Sequence, residues 1–262
     1  MANRAGVLGF PINHSLSPVL HRAAYEALGL DWTYDAIEMT PEDMPAFVAS
    51  LDDSWLGLSL TMPLKESVQP LLADIDQLAH VTNSVNTMYR SDKGWIGANT
   101  DVFGIEHSLR QAGLTGATSA RLLGAGATAR SAVAAMRNLR VESLIICARR
   151  ADKAREVALL AQGFGMEVLV SDLTPVPVEE DLLISVLPGD IAAPWASVPH
   201  SPHCALLDAS YHPWPSALGS AWSGSIVASG RDMLLWQATE QVELMTGRPA
   251  PVADMRFALE RL

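Results

Sequence analysis

Leu122-Leu123-Gly124-Ala125-Gly126-Ala127-Thr128-Ala129 decides how the rest of the chain is read. Two leucines close a short apolar run, and a G-x-G-x-x-A turn then opens a helical pattern. In such a turn the first glycine supplies the tight bend and the second lets the backbone approach a pyrophosphate. The small third residue lets the helix pack on the strand. The helix N-terminus adds free N–H donors and a positive dipole end. The bare motif also occurs in purely structural turns, but its strand–turn–helix setting here favours a dinucleotide. Gly124, Gly126, Ala127 and Thr128 are the expected contacts.

The following strand selects which dinucleotide. An acidic residue at its end accepts the ribose 2′-OH of NAD. This chain instead reads Ile146-Cys147-Ala148-Arg149-Arg150-Ala151-Asp152-Lys153, with Arg149 standing 23 residues after Gly126. A guanidinium there matches a 2′-phosphate in charge and in fork geometry. Arg150 and Lys153 are further candidate donors. The cofactor reading is therefore NADP(H). Charge distribution agrees, because residues 121–155 carry a local +6 while the remainder carries −17.

Working outward, apolar runs over 121–124, 141–148, 166–171, 182–187, 205–209 and 225–228 read as strands. Helical patterns over 127–139 and 152–161 separate the first three, which implies βαβ units and a mostly parallel sheet. Upstream, strands are expected over 5–10, 32–38 and 55–62, with helices over 17–28 and 41–51. Ser17-Pro18 supplies an N-cap and an N1 proline, and Gly29 a C′ residue. Segments 84–90 and 94–99 flank Ser91-Asp92-Lys93 as an antiparallel pair. Helices are expected over 101–114, 233–246 and 253–262. With 262 residues, two domains are the natural division, here 1–101 plus 238–262 and 102–237.

Composition excludes several classes. Apolar residues at 49% and charged residues at 18% exclude disorder. A net charge of −11 argues against a general nucleic-acid or anionic-membrane binder. Two cysteines make no disulfide scaffold, and neither a leader-like apolar segment nor a bilayer-length run is found. A cytoplasmic protein acting on a small molecule, monomer or homodimer, is the expectation. His200-Ser201-Pro202-His203-Cys204 groups ligand types, but it lies in a proline-rich stretch without a second cluster, so no metal is expected.

Short polar residues gather at the N-terminal strand ends. Ser15 and Ser17 would share a direction in an extended segment. Ser59 and Thr61 alternate with Leu58, Leu60 and Met62, aiming two hydroxyls to one side of an apolar strand. Lys65 follows just past that strand, where open α/β sheets place ligands. The chain has only three lysines against fifteen arginines, and an ammonium can release a proton where a guanidinium cannot. Asn86 and Asp101 close two neighbouring strands. Asp101 is equally suited to cap the helix that follows it.

Together these segments resemble the shikimate dehydrogenase family, nearly end to end. The resemblance is carried by Gly9-Phe10-Pro11-Ile12-Asn13-His14-Ser15-Leu16-Ser17-Pro18, Thr61-Met62-Pro63-Leu64-Lys65, Val85-Asn86-Thr87 and Asn99-Thr100-Asp101. It continues through the glycine turn, residues 208–215, and Gly230-Arg231-Asp232-Met233-Leu234-Leu235-Trp236-Gln237-Ala238. It implies an α/β protein of two domains, an N-terminal substrate domain completed by the C-terminal helices and a Rossmann-like NADP domain, with a cleft between them. The implied reaction is NADPH-dependent, reversible reduction of 3-dehydroshikimate to shikimate in aromatic amino-acid biosynthesis.

By the family pattern Lys65 and Asp101 are the catalytic pair. Ser15, Ser17, Thr61, Asn86, Asp101 and Gln237 hold substrate oxygens, Tyr211 borders the cleft, and Leu187, Gly230 and Met233 lie near the nicotinamide. Three segments depart from that pattern. The family usually has Asn where Ser59 stands, so a contact there is either relayed by water or filled by another group. At the 2′-phosphate loop an Asn-Arg-Thr is replaced by Ala148-Arg149-Arg150, which keeps the charge. An Asn-Ala-Thr strand end is here Ser185-Val186-Leu187. The rival readings are an NAD-preferring quinate/shikimate dehydrogenase, disfavoured by Arg149, and a catalytically silent sensor of shikimate or quinate, disfavoured by Lys65 with Asp101. A methylenetetrahydrofolate dehydrogenase shares the two-domain plan but not the paired serines.

Overall fold

A computed structural model describes residues 2–262. The chain forms two compact units, one running to Thr100 and including Gln237–Leu262, the other Asp101–Trp236. Among the described residues no helix is long and apolar enough to cross a membrane.

The first unit is built on six strands, β1 (Asn3–Gly9), β2 (Trp32–Glu38), β3 (Trp55–Leu60), β4 (Asp74–Ile75), β5 (Thr87–Ser91) and β6 (Gly94–Ala98), ordered β2-β1-β3-β5-β6-β4. β1 pairs in parallel with β2 and β3, whereas β5 runs antiparallel to β3 and β6. One end of the sheet therefore collects the C-terminal ends of β1, β3 and β6 and the N-terminal end of β5. Helices α1 (Ser17–Ala27), α2 (Met44–Ala49), α3 (Leu64–Ser67) and α4 (Gln77–Thr82) lie between the strands. Leu8, Met44, Trp55, Leu58, Leu64 and Met88 form the centre of one core cluster.

One sequence expectation needs correction here, and one helix lies outside the expectations. Ser17 is the first residue of α1 and not its cap; Leu16 holds that place without a side-chain bond. The short α4 was not anticipated, because it has only six residues and no apolar stripe. Its signals are local: Asp76 accepts from the Ala79 N–H at the N-terminus, and Asn83 turns left-handed at φ 47° at the C-terminus.

The second unit carries β7 (Ser119–Leu123), β8 (Ser143–Cys147), β9 (Glu167–Ser171), β10 (Leu182–Ser185), β11 (Ala205–Asp208) and β12 (Val227–Ser229), ordered β12-β11-β10-β7-β8-β9 with every pairing parallel. Read from the other edge, this is the doubly wound order 3-2-1-4-5-6, which reverses between β7 and β10. Helices α5 (Asp101–Gln111), α6 (Ala127–Asn138) and α7 (Ala151–Gly163) accompany the first half, the shorter α8 (Gly189–Ala192) and α9 (Ala217–Ala221) the second. Strands buried on both faces divide their side chains between two clusters: Leu122 and Ile146 face one, Leu123 and Cys147 the other.

Helix α10 (Gly230–Thr246) begins three residues before the apolar pattern suggested. A reciprocal cap explains this. Ser229 Oγ accepts the Asp232 N–H at 3.1 Å, while the Asp232 carboxylate accepts the Ser229 N–H at 3.1 Å. Helix α11 (Val252–Glu260) packs on α1.

Candidate active site and cofactor cradle

At the polar end of the first sheet, backbone bonds lock the loops together. The Thr61 N–H donates to Leu8 O at 2.9 Å, Phe10 N–H to Met62 O at 3.0 Å, and Val85 N–H to Lys65 O at 2.8 Å. Gly9 is required at this crossing, since a Cβ there would stand 2.3 Å from Thr61 Cγ2. Lys65, half-buried in the single turn of α3, is thereby tied through its own carbonyl to the residue before Asn86. Ser15 Oγ accepts the Ser17 N–H at 3.4 Å, so the two serines are neighbours, and Ser17 is buried.

The Asn86 carboxamide sits in a closed set of partners. Its Oδ1 accepts from the Thr100 N–H at 2.8 Å and from the Thr87 hydroxyl at 2.8 Å. Its Nδ2 donates to Thr100 Oγ1 at 2.9 Å and to Gln237 Oε1 at 3.3 Å. Of the predicted residues, this end of the sheet thus gathers Ser15, Ser17, Thr61, Lys65, Asn86 and Gln237. Asp101 directly follows Thr100, is buried, and opens α5, where the helix dipole favours a carboxylate.

Ser59 does not join them. Only 3% exposed, it accepts from the Tyr34 hydroxyl at 2.6 Å and donates to Gln241 Oε1 at 2.8 Å. Its expected role as a substrate contact gives way to one inside the unit, because the hydroxyl's donor is taken by a buried partner. Sequence reading missed Gln241, His21 and Tyr34 altogether, and it quoted Thr87 and Thr100 within motifs without giving either a role. Gln237 and Gln241 share one helix face at i, i+4, a spacing that marks them as neighbours.

In the second unit Gly124 adopts φ 114°, and a Cβ there would lie 2.8 Å from Val186 Cγ2 and 3.3 Å from Leu187 Cδ2. The turn and the end of β10 meet at the strand-order reversal, where doubly wound sheets bind ligands. Gly126 differs: a Cβ there would meet nothing within 4 Å. It is the N-cap of α6 with no side-chain bond to the helix end, which leaves the N–H groups of Ala127 and Thr128 without intrahelical acceptors. An open cradle with unsatisfied donors fits a pyrophosphate.

The three candidate phosphate cations sort cleanly. Arg150 is paired with Asp152 at 2.7 Å, and its guanidinium holds that carboxyl down to about 2. Lys153 is paired with Glu156 at 2.8 Å. Arg149, exposed just past β8, has no acidic partner among the described residues. Elsewhere, Gly230 lies so close to the Ala209 carbonyl that a Cβ would stand 2.3 Å from its oxygen. Met233 is enclosed in the core and Leu187 is half-buried. Tyr211 extends from a loop clasped by Asp208, whose buried carboxylate accepts from Ser216 and from the Ser210 N–H at 3.1 Å. Burial pushes both the Asp208 carboxyl and the Tyr211 hydroxyl above their ordinary values. His200 stacks on Trp222 at 3.8 Å, and Cys147 and Cys204 are free and buried. Among the described residues no cluster of three His, Cys, Asp or Glu side chains suits a metal ion.

Residues 7–88 match the family model for the shikimate dehydrogenase substrate binding domain, and residues 230–260 that for the shikimate 5′-dehydrogenase C-terminal domain. A shikimate dehydrogenase (NADP(+)) of Thermosynechococcus vestitus is 34% identical over 97% of this chain and 94% of its own length. The crystal structure of Mycobacterium tuberculosis shikimate dehydrogenase superposes with a TM-score of 0.88 at 37% identity, covering 99% of this chain and 100% of that one. A shikimate 5-dehydrogenase from Thermus thermophilus, solved with NADP(H) and shikimate, reaches 0.83 at 28% identity over 99% of each chain. The chain belongs to the shikimate dehydrogenase family.

Proposed function

We propose that the chain is an NADP-dependent shikimate dehydrogenase, reversibly reducing 3-dehydroshikimate to shikimate in aromatic amino-acid biosynthesis. The observation that carries this is the gathering of Ser15, Ser17, Thr61, Lys65 and Asn86 at one sheet end, in a chain whose full-length relatives bear that name. NADPH, when bound, supplies the hydride. Lys65 gives a proton to the substrate oxygen as negative charge develops there, and in the reverse direction takes it back. Asp101 holds the Lys65 ammonium and the neighbouring substrate hydroxyl in line. Ser15 and Ser17 bind the substrate carboxylate, while Thr61, Asn86 and Gln237 hold ring hydroxyls with Tyr211 as a further contact. That arrangement fixes which face of the ring meets the hydride donor. Gly126, Ala127 and Thr128 would hold the pyrophosphate beside the Gly124 bend. Arg149 would hold the 2′-phosphate, and Leu187, Gly230 and Met233 would lie beside the nicotinamide.

An assay at 340 nm with shikimate and quinate, each with NADP⁺ and NAD⁺, tests this reading. Shikimate with NADP⁺ is expected to give the highest kcat/KM, and turnover confined to quinate with NAD⁺ would overturn it. Arg149→Ala removes a charge-assisted contact worth about 1.5–3 kcal/mol, lowering kcat/KM for NADP⁺ ten- to a hundredfold and leaving NAD⁺ unchanged. Arg150→Ala has a smaller effect, because Asp152 already occupies that guanidinium.

A further inference from the structure

We infer that Gln241 is a positioning residue for substrate recognition: from beneath the site it sets the orientation in which Asn86 and Gln237 meet the ligand. The inference rests on the functional reading above and assigns a residue that touches neither substrate nor cofactor.

Gln241 is 1% exposed and all four of its hydrogen-bonding directions are taken. Its Nε2 donates to Asn86 O at 3.2 Å and to Thr87 Oγ1 at 2.9 Å. Its Oε1 accepts from Ser59 Oγ at 2.8 Å and lies 3.1 Å from His21 Nε2. The Asn86 carbonyl decides which way the amide points, because only the NH₂ end can face it. Oε1 must then face His21, so that ring carries its proton on Nε2, and its Nδ1 accepts from Tyr25 across 3.3 Å. The stacked ring of Tyr34, 4.1 Å from His21, closes the far side.

The consequence reaches the site through Thr87. Because Gln241 Nε2 fills an acceptor position of the Thr87 hydroxyl, that hydroxyl's own proton is directed to Asn86 Oδ1. Oδ1 also takes the Thr100 N–H, so the carboxamide cannot flip, and Asn86 shows its NH₂ to Gln237. At 3.3 Å the Asn86–Gln237 bond is longer than the bonds of the Asn86 carboxamide to Thr87 and Thr100, and it is the one a ligand hydroxyl replaces. An independent contact fixes the helix itself. Met245, a further turn along the face shared by Gln237 and Gln241, packs so tightly over β3 that a Cβ on Gly57 would lie 2.3 Å from it.

Two variants and a control test the inference. Gln241→Glu keeps the shape and the acceptors while removing both donors to Asn86 and Thr87. Thr87→Val removes only the relay hydroxyl. Tyr34→Phe removes a donor to Ser59 on the far side of the network and reports purely structural loss. For each, KM for shikimate, KM for NADP⁺, kcat, thermal midpoint and calorimetric binding of shikimate are measured. Gln241→Glu is expected to raise KM and Kd for shikimate by about tenfold or more, and Thr87→Val by about three- to tenfold. In both, KM for NADP⁺ stays within about twofold and kcat falls less than KM rises, while Tyr34→Phe lowers the midpoint without moving KM. If Gln241→Glu fails to fold, Thr87→Val decides. The inference is overturned if folded variants bind shikimate as the wild type does, or if Tyr34→Phe raises KM equally. A wild type that neither binds nor oxidises shikimate overturns the functional reading and this inference with it.

Discussion

The cofactor cradle and the polar end of the first sheet are made from different materials. The cradle is backbone: a positive-φ glycine, a second glycine with empty space where a side chain would be, and a helix end where Ala127 and Thr128 have no intrahelical acceptor for their N–H groups. The substrate end is side chains, drawn from segments far apart in the chain and held by a saturated hydrogen-bond network. A site made of backbone tolerates much substitution around it but little at its glycines. A site made of interlocked side chains transmits a change at one member to the others, because each buried partner left without its bond carries a penalty of about 1–3 kcal/mol.

The sharpest way to break this contrast is at Lys65. Lys65→Ala is expected to lower kcat by about 10²–10⁴-fold with little change in the KM for shikimate, followed at 340 nm. Near-wild-type kcat would remove the ammonium from the chemistry and leave the substrate end a binding surface only.

Next in size is the pH dependence of the network's foundation. Burial lowers His21 from 6.5 to about 4, so the folded unit refuses a proton that the unfolded chain accepts. Its contribution is whole above pH 6.5 and is lost as pH falls from 6.5 towards 4, about 3 kcal/mol in all. Urea unfolding of the wild type and of His21→Asn between pH 7 and 4 reads this as a difference in slope. Identical slopes would mean that His21 titrates normally, in conflict with its enclosed, hydrogen-bonded setting.

The smallest effect separates the two glycines. Gly124→Ala forces a Cβ into the left-handed region and against Val186, and is expected to cost about 1–2 kcal/mol of stability. Gly126→Ala meets open space at φ −93°, so the thermal midpoint holds while NADP⁺ affinity drops by about tenfold or more. If both variants lose stability alike, the second glycine is structural and the cradle reading fails.

These differences also explain what could be read in advance. β2 falls on 32–38 as its apolar pattern indicates, and the βαβ regularity from residue 121 announced a mostly parallel sheet. Both are short-range signals, set by side-chain period and turn chemistry. α4 escaped because a six-residue helix held by its caps has no periodic stripe, and α10 began early because Ser229 and Asp232 cap each other. Ser59 was placed correctly on β3 but assigned the wrong partners. Alternation along a strand says which face a hydroxyl takes, not whether Tyr34 and Gln241 already fill that face.

The amino-acid sequence alone determined the family, the reaction class and the phosphate-bearing cofactor, since each rests on a local motif whose chemistry depends on neighbours within a few residues. Only the tertiary structure decided which of three clustered cations lacks an acidic partner among the described residues, and that a glutamine beyond every motif donates to the Asn86 carbonyl. Both depend on which acceptors are already occupied, and occupancy is settled by residues that meet only after the chain has folded.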